Sequence, residues 1–571
     1  MQEQPTKRKE LGAFYTPSEI ADFLVSWSVR KPSDIVLDPA AGEGVFVDSS
    51  LRRLETLGAD PQKASKQVLA IEYDFETYSR LVRRVGSDKA TLVNKNFLEL
   101  APTFGEYDCR TTLPTVDAIV GNPPYVERQL LGDVQKIRKR LSEVFGVRIG
   151  RLTDIYGYFL LHAIRFLRPG GRLAFIISDT WMAMDFGVKI KELLLNAYRI
   201  HAIIGFNRRV FSDALVRTVL LLVEKAPESL GPQEGPVQFM RLRDTIPSLD
   251  LLERIEKPSI INGRVERLQS IPQYKLTATE PWSVYIKGSS LFFRIKSHRL
   301  CVPLTKIAVT GIGLFSLANN FYILRQDMVK KLGIEPNHLI RIAVSPKNTP
   351  LIIDKPDDVE YYAIYCNKPK KEIAGTGLLR YVTAGERKRV RIRTKNKHVV
   401  GYQNLPRIIQ AKRNPWYNIK TEIDKRCRRP ILIPRRSFAH FRVYYNKARI
   451  AFSDNFVGAE IGRKDLEIPL LAILNSSVTE YMARMQANIY GGGVYDLRPD
   501  DVKAICVPDV TRLENVTLAK LRQGYSEFAS SWETRAIDES LYRLLDLNGE
   551  EQKALQGELS ELRQLSFDAK G

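Results

Sequence analysis

The segment best equipped for chemistry is Asp117-Ala118-Ile119-Val120-Gly121-Asn122-Pro123-Pro124-Tyr125, an apolar run that passes directly into Asn-Pro-Pro-Tyr. Two prolines fix φ and remove two N–H donors, leaving a stiff turn whose carbonyls remain acceptors. An amino group on an aromatic ring could donate to the side-chain oxygen of Asn122 and to the carbonyl of Pro123. Those two bonds would draw its lone pair out of conjugation and aim it at an electrophile. Tyr125 then offers a face on which the ring can stack. A purely structural turn needs neither an amide before the prolines nor an aromatic after them.

Three further places carry small or polar residues at the ends of apolar runs. Asp38-Pro39-Ala40-Ala41-Gly42-Glu43-Gly44 follows the first run and opens a helical pattern. Small residues there let the backbone approach a ligand, and a helix N-terminus offers free N–H groups to an anion. The segment is neither G-x-G-x-x-G nor a P-loop, and a plain tight turn reads the same way. Glu72 closes the second run, where a carboxylate can accept both hydroxyls of a ribose; a solvated turn carboxylate is the alternative, and Asp74 would serve it equally. After the third run, Asn96 could bond the edge of an adenine while Phe97 covers its face, or the pair is a polar turn with a core aromatic.

The elements that must position these residues alternate between strand and helix periodicity from residue 18 to about 225, which predicts a mostly parallel sheet with helices on its faces. Ser18 is the expected N-cap of the first helix. Strands are expected at 35–37, 68–71, 91–93, 118–120, 173–177, 202–204 and 216–223, with a helix over 156–167 stopped by Arg168-Pro169-Gly170-Gly171. A Pro- and Gly-rich stretch, 226–237, reads as the exit from this first domain. Residues 226–300 read as a linker, 301–510 as a second domain, and 511–571 as a helical tail.

The chain has 571 residues, 44% hydrophobic and 27% charged, with 87 Lys and Arg against 65 Asp and Glu for a net charge of +22. This excludes collagenous, disordered and disulfide-scaffold proteins. The charge is concentrated: 380–449 holds 21 Lys and Arg and 3 Asp and Glu, a net of +18 that leaves +4 elsewhere. A polyanion is expected to meet that segment, the more so because Tyr381, Tyr402, Trp416, Tyr417, Phe438, Phe441, Tyr444 and Tyr445 interleave the cations. Five cysteines without a C-x-x-C pair imply free thiols and a reducing compartment. With no signal region and no apolar run near the ~18 residues of a membrane span, the chain is expected to be soluble and cytoplasmic, with no membrane partner. His is scarce and no metal-ligand spacing occurs, so no metal is expected.

Taken together, these motifs resemble the S-adenosylmethionine-dependent DNA adenine-N6 methyltransferases of type II restriction-modification systems, with catalytic motifs first (the gamma-class order) and target recognition last. The resemblance implies a doubly wound, Rossmann-like α/β domain over 1–225, a mixed α/β target-recognition domain over 301–510 and the helical tail. It implies S-adenosylmethionine as cofactor, held by Tyr15 and Thr16 of Phe14-Tyr15-Thr16-Pro17, by Asp38, Pro39, Ala40 and Gly42, by Glu72, by Asn96 and Phe97, and by Pro124. Asn stands at 96 where the family usually has Asp. Asn122, Pro123, Pro124 and Tyr125 resemble the catalytic motif, and Phe211 the aromatic that stacks on the other face of the flipped base. Gly311 to Asn320 and Leu471 to Pro508 are similar to the start and end of the recognition domain, and they bracket the basic segment. Double-stranded DNA is then the expected partner, met by Arg387, Lys388, Arg389, Arg391, Arg393, Lys395, Lys397, Arg413, Arg435 and Arg436. A cognate restriction endonuclease or other defence-system subunits would accompany it. An RNA or protein-glutamine methyltransferase could use the same Asn-Pro-Pro-Tyr. A fused nuclease is disfavoured, because Pro356-Asp357 and Glu360 are followed by no D/E-x-K.

Overall fold

The computed structural model describes residues 16–568 apart from 126–133, 146–154, 185, 208–209, 212–216, 227–234, 257–264, 393–396, 438–439 and 491–493. The chain divides into two compact units, Met1–Ser289 and Ser290–Gly571.

The first unit is built on a nine-stranded sheet. Its strands are β1 (Val36–Asp38), β2 (Val68–Glu72), β3 (Thr91–Asn94), β4 (Val116–Gly121), β5 (Leu167–Ser178), β6 (Tyr198–Phe206), β7 (Thr218–Lys225), β8 (Pro236–Leu242) and β9 (Val265–Pro272). Their order is β9-β8-β6-β7-β5-β4-β1-β2-β3. Strands β3, β2, β1, β4 and β5 run parallel, and β7 lies antiparallel between β5 and β6. The central strands are buried on both faces, as their near-continuous apolar runs require. From β1 the chain winds outward through β2 and β3, then returns to place β4 on the other side of β1. Ligands of open α/β sheets bind in the crevice at the carboxyl ends of strands at such a reversal.

Three details depart from the sequence reading. The segment 226–300 is not a linker: β8 pairs with β6 in parallel, Gln238 opposite Ala202, and β9 pairs with β8, so the sheet continues past the Pro- and Gly-rich stretch. The division between units falls at Ser289. Helix α1 (Ser18–Ser28) has Pro17, not Ser18, in the cap position, with no side-chain cap. Arg168 to Gly171 lie within β5, where the register against β4 shifts between Val116 and Ala118 and Gly170 takes φ +74°.

In the second unit, β10 (Cys301–Pro303) pairs antiparallel with β21 (Cys506–Pro508). Between them lie two four-stranded sheets. The first has β11 (Val309–Ile312), β20 (Phe456–Glu460), β17 (Ile431–Pro434) and β18 (Tyr444–Tyr445) in that order. The second has β12 (Ile323–Arg325), β14 (Tyr361–Ile364), β13 (Leu339–Ala343) and β19 (Ala451–Phe452). Helix α2 (Gly377–Arg387) leads into an isolated hairpin, β15 (Arg389–Ile392) and β16 (Lys397–Val400). Residues after 510 form helices 515–531, 535–544 and 549–568. They are part of the unit's body and not a free tail: Ser477 N–H donates to Asp538 at 2.8 Å, Tyr481 donates to Glu558 at 2.7 Å, and Arg563 pairs with buried Glu480. Among the described residues no helix is long and apolar enough to cross a membrane.

Candidate functional site

The reversal in strand order brings the ends of β1, β2 and β4 together, and with them most of the polar residues singled out above. At the end of β1, Asp38 is almost wholly buried. Its Oδ1 accepts from the Ala40 N–H at 3.1 Å, while Oδ2 is buried without a hydrogen-bond partner among the described residues. Burial is the chief reason its carboxyl is pushed up to about 8; the Ala40 N–H opposes that shift and the neighbouring Glu72 adds to it. The loop beyond is tied to β2 by the Ala41 N–H, which donates to the Ile71 carbonyl at 2.8 Å. Gly42 and Gly44 take φ +54° and +85°, which glycine adopts without strain. A β-carbon on Gly42 would meet no other residue within 4 Å, whereas one on Gly44 would lie 2.4 Å from Leu81.

Glu72, at the end of β2, accepts from the Gly42 N–H at 2.9 Å and the Asp74 N–H at 2.8 Å. Burial raises its carboxyl despite those donors. The carboxylate is therefore half-buried and built into the loop, which removes the reading as a solvated turn residue.

At the end of β4, Gly121 leaves room for Asp38: an added β-carbon would lie 3.0 Å from its Oδ1 and 3.3 Å from Pro39. Asn122 follows, half-buried, and its Nδ2 donates to the Thr16 hydroxyl at 3.1 Å, which fixes the amide plane. Pro123 is buried and Pro124 half-buried. Tyr125 is buried and donates to the Ile176 carbonyl at 3.1 Å, and burial holds its phenol protonated. Its ring centroid lies 6.2 Å from that of Phe211, the planes inclined at 54°. The two aromatics form a direct pair, so a ring entering between them must part them.

Asn96 and Phe97 follow β3 at this same edge of the sheet, and both are buried. Asn96 accepts from the Leu98 N–H at 3.1 Å and caps a short 3-10 turn. Phe97 is 1% exposed and packs against Phe159, His162 and Phe166 at 4.8–5.8 Å. Tyr15 lies outside the described residues.

The sequence reading missed what braces Tyr125. Tyr156 meets it edge-on at 6.4 Å, and Phe186 meets Tyr156 at 6.2 Å. The Tyr156 hydroxyl shares a hydrogen bond of 2.5 Å with Thr180, which in turn bonds the Ser178 hydroxyl at 3.0 Å. The available signal was an aromatic next to Asp154-Ile155, but nothing local ties it to a motif 30 residues away.

In the second unit the basic segment separates into two populations. Arg413 is internal: it forms a bidentate pair with Glu422 at 2.8 and 2.9 Å and donates to the carbonyls of Phe315 and Ser316. Arg435 is likewise internal, donating to the Leu497 and Asp454 carbonyls beside Asp496. Neither cation is offered to a partner, because the fold's own carboxylates and carbonyls already hold it. Arg436 is exposed but pairs with Asp496 at 3.3 Å. Arg387, Lys388 and Arg389 are exposed with no acidic partner among the described residues, and Arg391 is exposed beside them. Arg393 and Lys395 lie outside the described residues, as does the side chain of Lys397. The interleaved aromatics are core: Tyr381, Tyr402 and Trp416 surround Phe321 at 4.7–5.0 Å, and Tyr417 is fully buried. Phe438 lies outside the described residues. No group of His, Cys, Asp and Glu suited to a metal occurs among the described residues.

Comparison with known proteins returns one answer for both units. The N-6 DNA Methylase family matches residues 2–259, and the family described as the C-terminal domain of type II methyltransferase M.Eco57I matches 286–541. The type II methyltransferase M.AccI of Acinetobacter calcoaceticus is 24% identical over 91% of this chain and 89% of its own. M.PaeR7I of Pseudomonas aeruginosa is 23% identical over 96% and 93%. Among solved structures, the type IIL restriction-modification enzyme MmeI, in complex with DNA, superposes with a TM-score of 0.54 at 13% identity, covering 100% of this chain and 78% of that one. At that identity the likeness is one of fold.

Proposed function

The chain belongs to the type II restriction-modification N6 DNA methyltransferase family, whose members use S-adenosylmethionine, and from that premise we propose that it methylates N6 of an adenine swung out of duplex DNA. The observation that carries this reading is the junction of β4 with Asn-Pro-Pro-Tyr. There an amide anchored to Thr16 stands beside the β1 loop, with the Tyr125–Phe211 pair next to it.

The residues at the carboxyl edge fit the cofactor. Asp38 Oδ2, buried without a partner, is a place for a cationic donor such as an α-ammonium; Gly42 leaves open space, and Glu72 presents a half-buried carboxylate for ribose hydroxyls. When bound, S-adenosylmethionine supplies a methyl group on a positively charged sulfur. Asn122 Oδ1 and the Pro123 carbonyl would accept hydrogen bonds from the two N6–H groups and so localise the nitrogen lone pair. With S-adenosylmethionine bound, the S–C bond would be exchanged for an N–C bond, a neutral thioether would leave, and the proton then in excess on N6 would pass to solvent water. Inside the stack N6 is paired and cannot be approached in line, so the base must leave it at a cost of a few kcal/mol. Tyr125 and Phe211, parted by the incoming adenine, return roughly 1–3 kcal/mol per base by stacking.

The deciding experiment is transfer of labelled methyl from S-adenosylmethionine to mixed-sequence duplex DNA, with digestion to nucleosides. Label in N6-methyladenosine is expected. Label confined to cytosine, or accepted only by RNA or protein, would displace the reading.

A further inference from the structure

We propose that the β15–β16 hairpin is the element that reads base edges in the major groove, with Arg389 and Arg391 as its guanine-directed residues. The proposal rests on the duplex-DNA reading above and assigns its sequence reader.

The hairpin register places Arg389 opposite Val400 and Arg391 opposite His398, while Val390 faces Val399 and Ile392 faces Lys397. Directly opposed residues share a face. One face therefore carries Arg389, Arg391, His398 and Val400, and all four are exposed. The other carries Val390, Ile392 and Val399, all half-buried, and Val390 packs on the core of the second unit. The base of the ribbon is firmly rooted. The Gly401 N–H donates to the Lys388 carbonyl at 2.7 Å, and Glu386, where α2 ends, accepts from Trp416 at 2.8 Å and pairs with Lys370 at 2.6 Å.

This ribbon is a separate two-stranded sheet, and B-form DNA's major groove admits a two-stranded ribbon. Its outward face also differs from a simple phosphate clamp. Phosphate binding needs cations alone, yet Val400, opposite Arg389 at the base of the ribbon, is 61% exposed on the charged face. An apolar side chain beside guanidinium groups suits the groove floor, where a thymine methyl lies next to guanine N7 and O6. The deep, narrow major groove of an A-form duplex would exclude the ribbon.

The test uses the full chain. Wild type, Arg389→Gln, Arg391→Gln and Val400→Ser are expressed in a host without its own adenine methylation, and methylated adenines are mapped by sequencing. The purified proteins are then assayed on duplexes carrying each single base-pair change. Each arginine variant should lose about 5- to 150-fold of its preference at one G·C position and methylate sites that wild type rejects, with unchanged thermal unfolding. An unchanged methylation motif, with only weaker binding and a shallower salt dependence, would make the ribbon a phosphate contact and overturn the proposal. Wild type that leaves adenine unmethylated would instead sink the reading on which it rests.

Discussion

The carboxyl edge of the first unit and the basic segment of the second are both polar, and they are polar for opposite reasons. At the edge of the sheet the polar groups are few, and most are held by the chain: Asn122 by Thr16, Glu72 by the Gly42 and Asp74 N–H groups, Tyr125 by Ile176. In the basic segment charge is abundant, yet part of it faces inward and holds the fold together. Residue type at a fixed position in a strand is thus a good guide to chemistry, because the sheet dictates where that position lies. A count of cations is a poor guide to an interface, because it says nothing of which are already neutralised.

The largest effect expected from that contrast concerns stability. Arg413→Ala, which strands Glu422 and two carbonyls in a part-buried site, should cost about 3 kcal/mol in urea unfolding, whereas Arg389→Ala should leave the midpoint unchanged. Equal effects would erase the division of the basic segment into internal and outward cations. At the sheet edge, Asn122→Ala should lower the rate of methyl transfer about 10²- to 10³-fold, as loss of one preorganised polar group at a reacting atom does elsewhere, with cofactor binding nearly intact. A rate within threefold of wild type would remove Asn122 from the reaction.

A smaller effect follows from Asp38. Its carboxyl titrates at about 8 in the folded protein against 3.8 ordinarily, so the folded state retains a proton that the unfolded state has lost. Stability contributed by this group is complete below about 4 and is lost as pH rises through about 8. A cationic ligand at Oδ2 favours the ionised form. Affinity for S-adenosylmethionine should therefore rise by up to about tenfold per pH unit as pH approaches 8 and flatten above it, with proton release measurable by calorimetry in buffers of different ionisation enthalpy. Asp38→Asn should abolish that slope, and a slope that survives would place the proton elsewhere. Smallest is the change expected on the outward cations. Lys388→Gln, if its ammonium meets one phosphate, should reduce the slope of log K against log salt by about 0.9, while Arg413→Lys leaves it alone.

The comparison also shows what could be read in advance. The seven strands expected before residue 225 are present, because a parallel sheet covered on both faces needs unbroken apolar runs and those runs are local. Asn122, Glu72 and Asp38 converge because each closes such a run at one edge of one sheet. What escaped is what depends on distant partners. Nothing near Arg435 or Arg436 announces Asp496, some 60 residues on. Nothing in the Pro- and Gly-rich stretch before Pro236 tells that β8 will rejoin the sheet beside β6, since proline and glycine mark a break in the strand and not in the domain. Phe97 packs on Phe159, His162 and Phe166, residues far along the chain that no local pattern ties to it.

The clasp of β10 on β21 has a consequence for how such proteins can be rebuilt. Leu300 accepts from the Asp509 N–H at 2.7 Å, and the Leu304 N–H donates to Ile505 at 2.9 Å, so the backbone that leaves into 304–505 returns beside its own point of departure. A segment whose ends already touch can be cut out and another grafted in without pulling the surroundings apart. The entropy of closing such a loop grows only with the logarithm of its length, about 0.6 kcal/mol per doubling, so a replacement twice as long would hardly strain the join. The fold thereby offers a socket, in which one inserted segment can be exchanged for another while its surroundings stay where they are.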